Sequence, residues 1–248
     1  MLREERQHLI LEQIQLNQRV LTNELTVLLD VSLDTVRRDL TELEKAGKLV
    51  KVHGGALAKD YQIPFQPTLI YKQDEKIQIA KKAIELIQDD TSILLSGGTI
   101  ILEVVKLIPK HFKGLIYTVS PLIALELAQR TQSKVILLGG AVTKESYICT
   151  GTSVMLQLAN LQVDLCLMGA NSFSIQHGLT EYDWELAHIK QAIINASKKS
   201  AVLSLAEKLD IAQEVKVCDI KQINYLVTDL KPDHPSLQKY KAHVDKLF

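Results

Sequence analysis

The chain has 248 residues, with 29 Lys and Arg balanced by 29 Asp and Glu, and 46% of it is apolar. That length suits two domains or one large one, and the apolar share can fill a sizeable core. Zero net charge argues against indiscriminate nucleic-acid binding but leaves room for a locally basic reading surface. Cys149, Cys166 and Cys218 form no C-x-x-C pair and read as free, buried thiols of a reducing compartment.

The opening Met1-Leu2-Arg3-Glu4-Glu5-Arg6 is charged where a signal peptide needs an apolar core. No later apolar run is long enough to span a membrane, so a cytoplasmic protein without membrane contact is expected. From Arg6 to Asn17, Leu9, Ile10 and Ile14 recur at helical spacing and predict an amphipathic helix. Arg19-Val20-Leu21 fits a short strand. Thr22 is placed to cap a second helix burying Leu25, Leu28 and Leu29, and Asp30-Val31 turns into a third. There Ser32 is the N-cap, and Val36, Leu40 and Leu43 form the buried stripe. Thr35 and Arg38 are left on the outer side, with Arg37 close by. A short capped helix presenting hydroxyls and guanidinium groups suits a DNA major groove. One basic helix alone reads more readily as a solvated face, and the order of elements reverses that reading. Helix, strand, helix, turn, capped basic helix and basic hairpin in that order make a winged helix-turn-helix. Gly47 can stop the third helix in a left-handed conformation. Lys48 to His53 reads as a strand, Gly54-Gly55 as its turn, and Ala56-Leu57-Ala58 as the return. Lys45, Lys48, Lys51 and Lys59 lie in a stretch with no acid between Glu44 and Asp60, a candidate phosphate surface. The candidate contacts to double-stranded operator DNA are Ser32, Thr35, Arg37, Arg38, Lys48, Lys51 and His53.

The expected organisation is a DNA-binding domain over 1–58, a linker over 59–74 around Pro64 and Pro67, and a second domain over 75–248. In the second domain a helix resumes at Glu75, with Ile77, Ala80, Ile84 and Ile87 on its core face. Strands follow at Ser92–Leu95, Leu115–Thr118, Val135–Leu138, Leu165–Met168, Ala201–Leu203 and Leu226-Val227. Helices are expected over Ile100–Ile108, Pro121–Arg130 and Asp183–Ser197. The alternation predicts an α/β fold: a mostly parallel sheet with helices on both faces. Ligands of such sheets bind beyond the carboxyl ends of the strands. Small and hydroxyl residues recur there, at Ser96-Gly97-Gly98-Thr99, Thr118-Val119-Ser120, Gly139-Gly140 and Gly169-Ala170-Asn171. Glycine backbone, helix N-termini and hydroxyls are suited to a phosphate or phospho-sugar, although tight turns also call for glycine.

No metal spacing, nucleophile elbow, Walker loop or dinucleotide fingerprint is present, so no metal, cofactor or catalytic residue is assigned. Glu103, Glu181 and Asp183 are the carboxylates an isomerase would draw on. Glu103 reads better as helix surface and Asp183 as a helix cap. His177 reads as an exposed loop residue. Tyr182 and Trp184 read as packing or interface residues.

The first domain resembles the winged helix-turn-helix of the DeoR family of bacterial transcription regulators. The resemblance rests on Arg3-Glu4-Glu5-Arg6, Val31-Ser32, Thr35-Val36-Arg37-Arg38-Asp39-Leu40, Leu43-Glu44 with Gly47, and Val52-His53-Gly54-Gly55-Ala56. The second resembles that family's sensor domain, itself similar in fold to sugar-phosphate isomerases. Here the matching residues are Glu75-Lys76, Gly98-Thr99, Leu138-Gly139-Gly140, Asp164, Gly169-Ala170, Gly178-Leu179-Thr180, Glu185 and Lys208. The resemblance implies an operator-binding homo-oligomer, dimer or tetramer. It further implies a repressor of carbohydrate-metabolism genes controlled by a phosphorylated sugar or related metabolite. The effector residues expected are Ser96, Gly97, Gly98, Thr99, Ser120, Gly139, Gly140, Asn171 and Lys208. The chain departs from the family at Ser96 (usually Asp), Ile100 (usually a hydroxyl), Val119 (usually Asn) and Leu205 (usually Asp). The alternatives are an isomerase-type enzyme with an appended DNA-binding domain, and a regulator whose second domain only oligomerises.

Overall fold

The computed structural model describes residues 2–17, 19–52, 54–58 and 71–248. His53, Lys59, Pro64 and Pro67 lie outside the described residues. The chain divides into two compact units, Met1–Ile63 and Pro64–Phe248.

The first unit runs α1 (Arg3–Asn17), β1 (Arg19–Leu21), α2 (Thr22–Leu29), α3 (Leu33–Lys45), β2 (Leu49–Val52) and β3 (Gly55–Ala58). Ile10 and Ile14 of α1, Leu25 and Leu29 of α2, and Val36, Leu40 and Leu43 of α3 share one core with Leu49 and Ala56 of the hairpin. The three strands pair antiparallel in the order β1-β3-β2, the wing. Gly55 permits the close approach, since a Cβ there would lie 2.1 Å from the Val20 carbonyl oxygen. Helix α3 starts as its sequence predicts, with the Ser32 hydroxyl accepting the Thr35 N–H at 3.3 Å. It stops at Gly47, φ 67°. The Gly47 N–H bonds the Glu44 carbonyl and the Lys48 N–H bonds the Leu43 carbonyl, the paired bonds of a Schellman ending.

Two expectations at α2 are corrected. Thr22 is the first helical residue rather than the cap, because the extended cap position falls on Leu21, φ −94° and ψ 140°, which is held in β1 opposite Gly55. Leu28 is 56% exposed. Leu25 and Leu29 define the buried stripe, and a neighbouring position lies about 100° round the helix from it.

The second unit begins with α4 (Gln73–Ala83), two residues before the expected Glu75. Its buried face is Lys76, Ile79, Ala80 and Ala83, not the phase through Ile77. Ile84 and Ile87 reach only the core's margin, where the chain tightens into a 3-10 turn over Ile84–Leu86. There follow β4 (Ser92–Leu95), α5 (Thr99–Leu107), β5 (Leu115–Thr118), α6 (Pro121–Arg130), β6 (Lys134–Leu137), the hairpin of β7 (Ala141–Val142) and β8 (Cys149–Thr150), and α7 (Thr152–Ala159). Next are β9 (Val163–Gly169), β10 (Phe173–Ser174), β11 (Gly178–Glu181), α8 (Trp184–Asn195), β12 (Ser197–Ser204), β13 (Val215–Cys218), β14 (Tyr225–Thr228) and β15 (Lys246–Leu247).

Seven strands, in the order β15-β14-β12-β9-β4-β5-β6, form a sheet whose neighbouring pairs are all parallel. Alternate residues of each strand feed opposite cores, as the two-residue strand period requires. Ile93 and Leu95 pack with α4, α5 and α6, while Leu94 packs with α7 and α8. The expected α/β sheet with helices on both faces is therefore present. A smaller antiparallel sheet, β10-β11-β13, adjoins the α8 face. Glu103 is corrected from helix surface to buried, at 4% exposure. All of Ile100 to Val105 is buried in α5, and Lys106 holds the Glu103 carboxylate at 2.7 Å.

Candidate DNA interface and effector pocket

On the first unit, Ser32, Arg37, Arg38, Lys48 and Lys51 are exposed, and Thr35 is half-buried. The Ser32 and Thr35 hydroxyls are 2.9 Å apart at the start of α3. Arg37 lies 3.8 Å from Asp34, a loose pair in water that leaves its guanidinium available. Wing and helix are tied together. Lys51 Nζ donates to Thr41 Oγ1 at 2.7 Å, Thr41 Oγ1 donates to the Arg37 carbonyl at 2.8 Å, and the Lys51 N–H donates to Glu44 at 3.0 Å. Arg37, Arg38, Thr41, Lys45 and Lys51 consequently line one open groove, together with the acids Asp34 and Glu42. The back of α3 is fixed by Asp39, which accepts from Arg6 at 2.5 and 3.0 Å. Burying that ion pair side-on orients the helix without using an outward-facing cation.

In the second unit, the chain leaves β4 toward β5 and β6 on one side, then returns to β9 on the other. That reversal is a topological switch point, where open α/β sheets leave a crevice. The Ser96–Thr99 loop stands on one side of it and Gly169–Asn171 on the other. Cβ atoms built on Gly98, Gly139 or Gly169 would meet nothing within 4 Å, so all three open onto free space. Gly97 is packed: its Cβ would lie 2.8 Å from Ile148 and 3.3 Å from the Ser120 Cβ, which brings the β4 and β5 loops together. Ser96 and Ser120 are buried, and Asn171 is exposed. Gly140 meets packing, with the Thr150 carbonyl oxygen 2.3 Å from its Cβ position.

The expected residues spread over a wide edge. Gly139-Gly140 follow β6 and Lys208 follows β12, four strands apart, or roughly 19 Å at ~4.8 Å per strand. One small metabolite does not reach both. The departures also have a place. Val119, Ile100 and Leu205 are core residues, so their side chains pack rather than line the crevice.

Lys76 is one of the residues that carry the family resemblance, but it was not among the expected effector residues. It is 8% exposed, and its Nζ donates to Thr99 Oγ1 at 2.9 Å. Burial, then the nearby charge of Lys208, bring its ammonium down to about 8, against the opposing pull of Glu207, Glu103 and Glu75. The signal was present in the spacing Lys76, Ile79, Ala80, Ala83, a continuous helical face. The remaining enzyme candidates are engaged elsewhere. Glu181 is buried and paired with Lys190, and Asp183 caps α8 by accepting the Leu186 N–H at 2.8 Å. His177 is exposed. Tyr182 and Trp184 are 41% and 66% exposed, which corrects the packing half of their reading. Among the described residues, no group of three or more His, Cys, Asp or Glu is placed to hold a metal, and no helix is long and apolar enough to cross a membrane.

Family comparison settles the class. Residues 6–62 match the DeoR-like helix-turn-helix domain, and residues 71–230 match the DeoR C-terminal sensor domain. The chain belongs to the DeoR family of DNA-binding transcriptional regulators. This DeoR-family chain is 29% identical over 240 residues to the HTH-type transcriptional regulator GolR of Listeria innocua serovar 6a, covering 96% of itself and 94% of GolR. It is 30% identical over 239 residues to the HTH-type transcriptional repressor GlcR of Bacillus subtilis, covering 94% and 91%. Over 230 residues it is 26% identical to a putative aga operon transcriptional repressor of Escherichia coli O157:H7, covering 91% and 86%. These relatives are named as regulators and repressors of transcription, not as enzymes. Among solved structures, ribose 5 phosphate isomerase A from Neisseria gonorrhoeae aligns at TM-score 0.43 and 15% identity, over 57% of this chain and 55% of that one. The chain thus spans little more than half of that protein.

Proposed function

We propose that this regulator represses carbohydrate-metabolism genes and that a small phosphorylated metabolite controls its hold on the operator. In this reading residues 1–58 read DNA, 59–74 link, and 75–248 sense. Thr35 and Arg38 address base edges, with Ser32, Arg37, Lys48, Lys51 and His53 on phosphates or flanking positions. Two reading heads of a homo-oligomer, a dimer or tetramer, occupy repeated half-sites. Repression is favoured because relatives spanning nearly the whole chain are named repressors.

The observation that carries the effector half is the crevice at the switch point. There Gly98 and Gly169 open onto free space beside the N-terminus of α5, the arrangement that accepts an anion through backbone N–H groups and the helix dipole. Ser96 to Thr99, Ser120, Asn171 and Lys208 surround it, with Gly139 and Gly140 at the rim. Ligand changes DNA affinity only as far as it prefers one state of the protein over the other. The test is a thermal-shift screen of phosphorylated sugars and related metabolites, with operator affinity measured for every hit. A compound that raises the melting temperature and changes operator affinity is expected. If no compound does either, the sensing function is wrong.

A further inference from the structure

The two edges of the seven-stranded sheet are unlike. At one, β15 is two residues long and begins with Lys246, the short, charged form that discourages further pairing. At the other, β6 runs Lys134–Leu137, and among the described residues no strand pairs with its outer side. The Leu138 N–H is bonded to the Thr118 carbonyl of β5. Backbone groups alternate in direction along a strand, so those of Lys134 and Ile136 also face β5, while those of Val135 and Leu137 face outward. Gly139 shares the outward direction, but its carbonyl accepts from Ser153 Oγ at 3.1 Å and Gln157 Nε2 at 2.9 Å, both of α7. From Val135 to Val142 the sequence has no charged residue and no proline, the usual guards of an open edge. Exposed aliphatic side chains gather at the same place. Those of the second unit are Leu107, Leu125, Leu137, Val142 and Leu156, and all but Leu107 border this edge. Leu137 lies in β6, and Val142 in the hairpin that follows it. Leu156 stands on α7 between the two residues that hold Gly139, and Leu125 on α6, which packs beside β6. Each of the four is 41% or more exposed.

We propose that β6 pairs antiparallel with β6 of a second copy of this chain across a twofold axis, joining the two sheets into one. This rests on the homo-oligomer proposed above and names the surface that makes it. One register uses every open group and no occupied one. It sets Ile136 opposite Ile136 of the partner subunit, so that Val135 exchanges both backbone bonds with Leu137 of the partner subunit, and Leu137 with the partner's Val135. A register centred on Leu137 would call on Gly139, whose carbonyl α7 already holds. The occupant follows from this symmetry. The same two residues supply donors and acceptors on both sides, as a twofold contact requires. An axis normal to the sheet also keeps like helices on like faces. Leu125 then faces the second copy's α6, and Leu156 its α7, so the seam is covered above and below as a buried sheet demands. A lone strand from another protein would bring no helices and leave both leucines in water.

The experiment measures the mass of the full chain by light scattering and sedimentation velocity. The wild type should be a dimer or a tetramer. Leu137→Pro removes an outward N–H and takes no bond from β5, so it should halve the mass while leaving the circular dichroism spectrum unchanged. Leu125→Lys combined with Leu156→Lys, both on exposed positions, should weaken self-association by roughly tenfold or more. Ile136→Cys reports the register. Directly opposed residues of such a pair stand about 4.5 Å apart at Cα, within disulfide reach, so mild oxidation should link two chains that the wild type, with its three buried cysteines, leaves unlinked. Should Leu137→Pro fail to fold, the lysine pair and the cross-link decide. A monomeric wild type overturns both this contact and the homo-oligomer, and returns the edge to some other partner. An oligomer whose mass survives Leu137→Pro and the lysine pair, and which Ile136→Cys does not link, overturns the contact alone: the homo-oligomer then stands on another surface.

Discussion

At the scale of single residues, Ser32 has two roles that chemistry can separate. Its hydroxyl caps α3, and it faces outward where DNA would lie. Alanine loses both roles, costing roughly 1 kcal/mol of stability through the lost cap. Aspartate keeps a cap acceptor and suits the helix dipole, but it sets a carboxylate against phosphates. Ser32→Asp should therefore unfold in urea within about 0.5 kcal/mol of wild type while losing operator affinity in fluorescence anisotropy. Undiminished operator binding by that variant would remove Ser32 from the interface. Arg38 is separated by specificity. It has no ion pair among the described residues, so Arg38→Ala should cost about 1–3 kcal/mol on the operator and far less on unrelated DNA. An equal loss on both sequences would make Arg38 a phosphate contact instead.

Secondary-structure elements show how far the sequence could be read. Strands β4 and β5 and helix α6 lie where their apolar runs predict them, because each is buried by a regular period against its own core. The recognition helix was legible to its last turn, since Ser32 and Gly47 are local signals that no distant contact overrides. What escaped notice depends on partners far along the chain. Strands β7, β8 and β10 are two residues each, too short to show a period. In α7 the buried Val154 and Leu158 are masked by Leu156, which is 61% exposed. The burial of Lys76 escaped because counting apolar residues favours the phase through Ile77. Asp164 is the opposite case, a motif residue whose role became visible only in the fold. Lys198 first, then the Ser92 N–H and hydroxyl, hold its carboxyl well below the ordinary range. These bonds, at 2.7 to 2.9 Å, tie the start of β4 to that of β9 at the end of the sheet away from the crevice. A depressed carboxyl stabilises the fold above the unfolded-state value near 3.9 and loses that contribution as pH falls through the folded one. Asp164→Asn should thus lower the melting temperature at pH 7 and narrow its gap to wild type as the pH approaches 2. A constant gap across that window would show that the ionised carboxylate is not what joins the two strands.

For the molecule as a whole, the balance of charge decides how it should search DNA. Residues 1–58 hold eight Lys and Arg against nine Asp and Glu, so the reading unit is not basic overall. Two of its cations are turned inward or aside, Arg6 onto Asp39 and Arg3 onto Glu42. The outward ones, Arg37, Arg38, Lys45, Lys48 and Lys51, are concentrated on the recognition helix and wing. Such a distribution gives a small number of phosphate contacts in a fixed place, and weak attraction elsewhere. With about four phosphate contacts per head, the logarithm of operator affinity should fall with the logarithm of salt at a slope of roughly −3.6 per head. Two heads on one operator double it to about −7. Lys51→Ala should reduce the slope by about one per head and weaken all sequences alike, since Lys51 bonds Thr41 at the rim of the groove rather than reaching past it. Anisotropy titrations between 50 and 300 mM salt measure both quantities. A wild-type slope near zero, or one that Lys51→Ala leaves unchanged, would mean that the wing does not touch the DNA backbone. Affinity would then have to come from α3 alone.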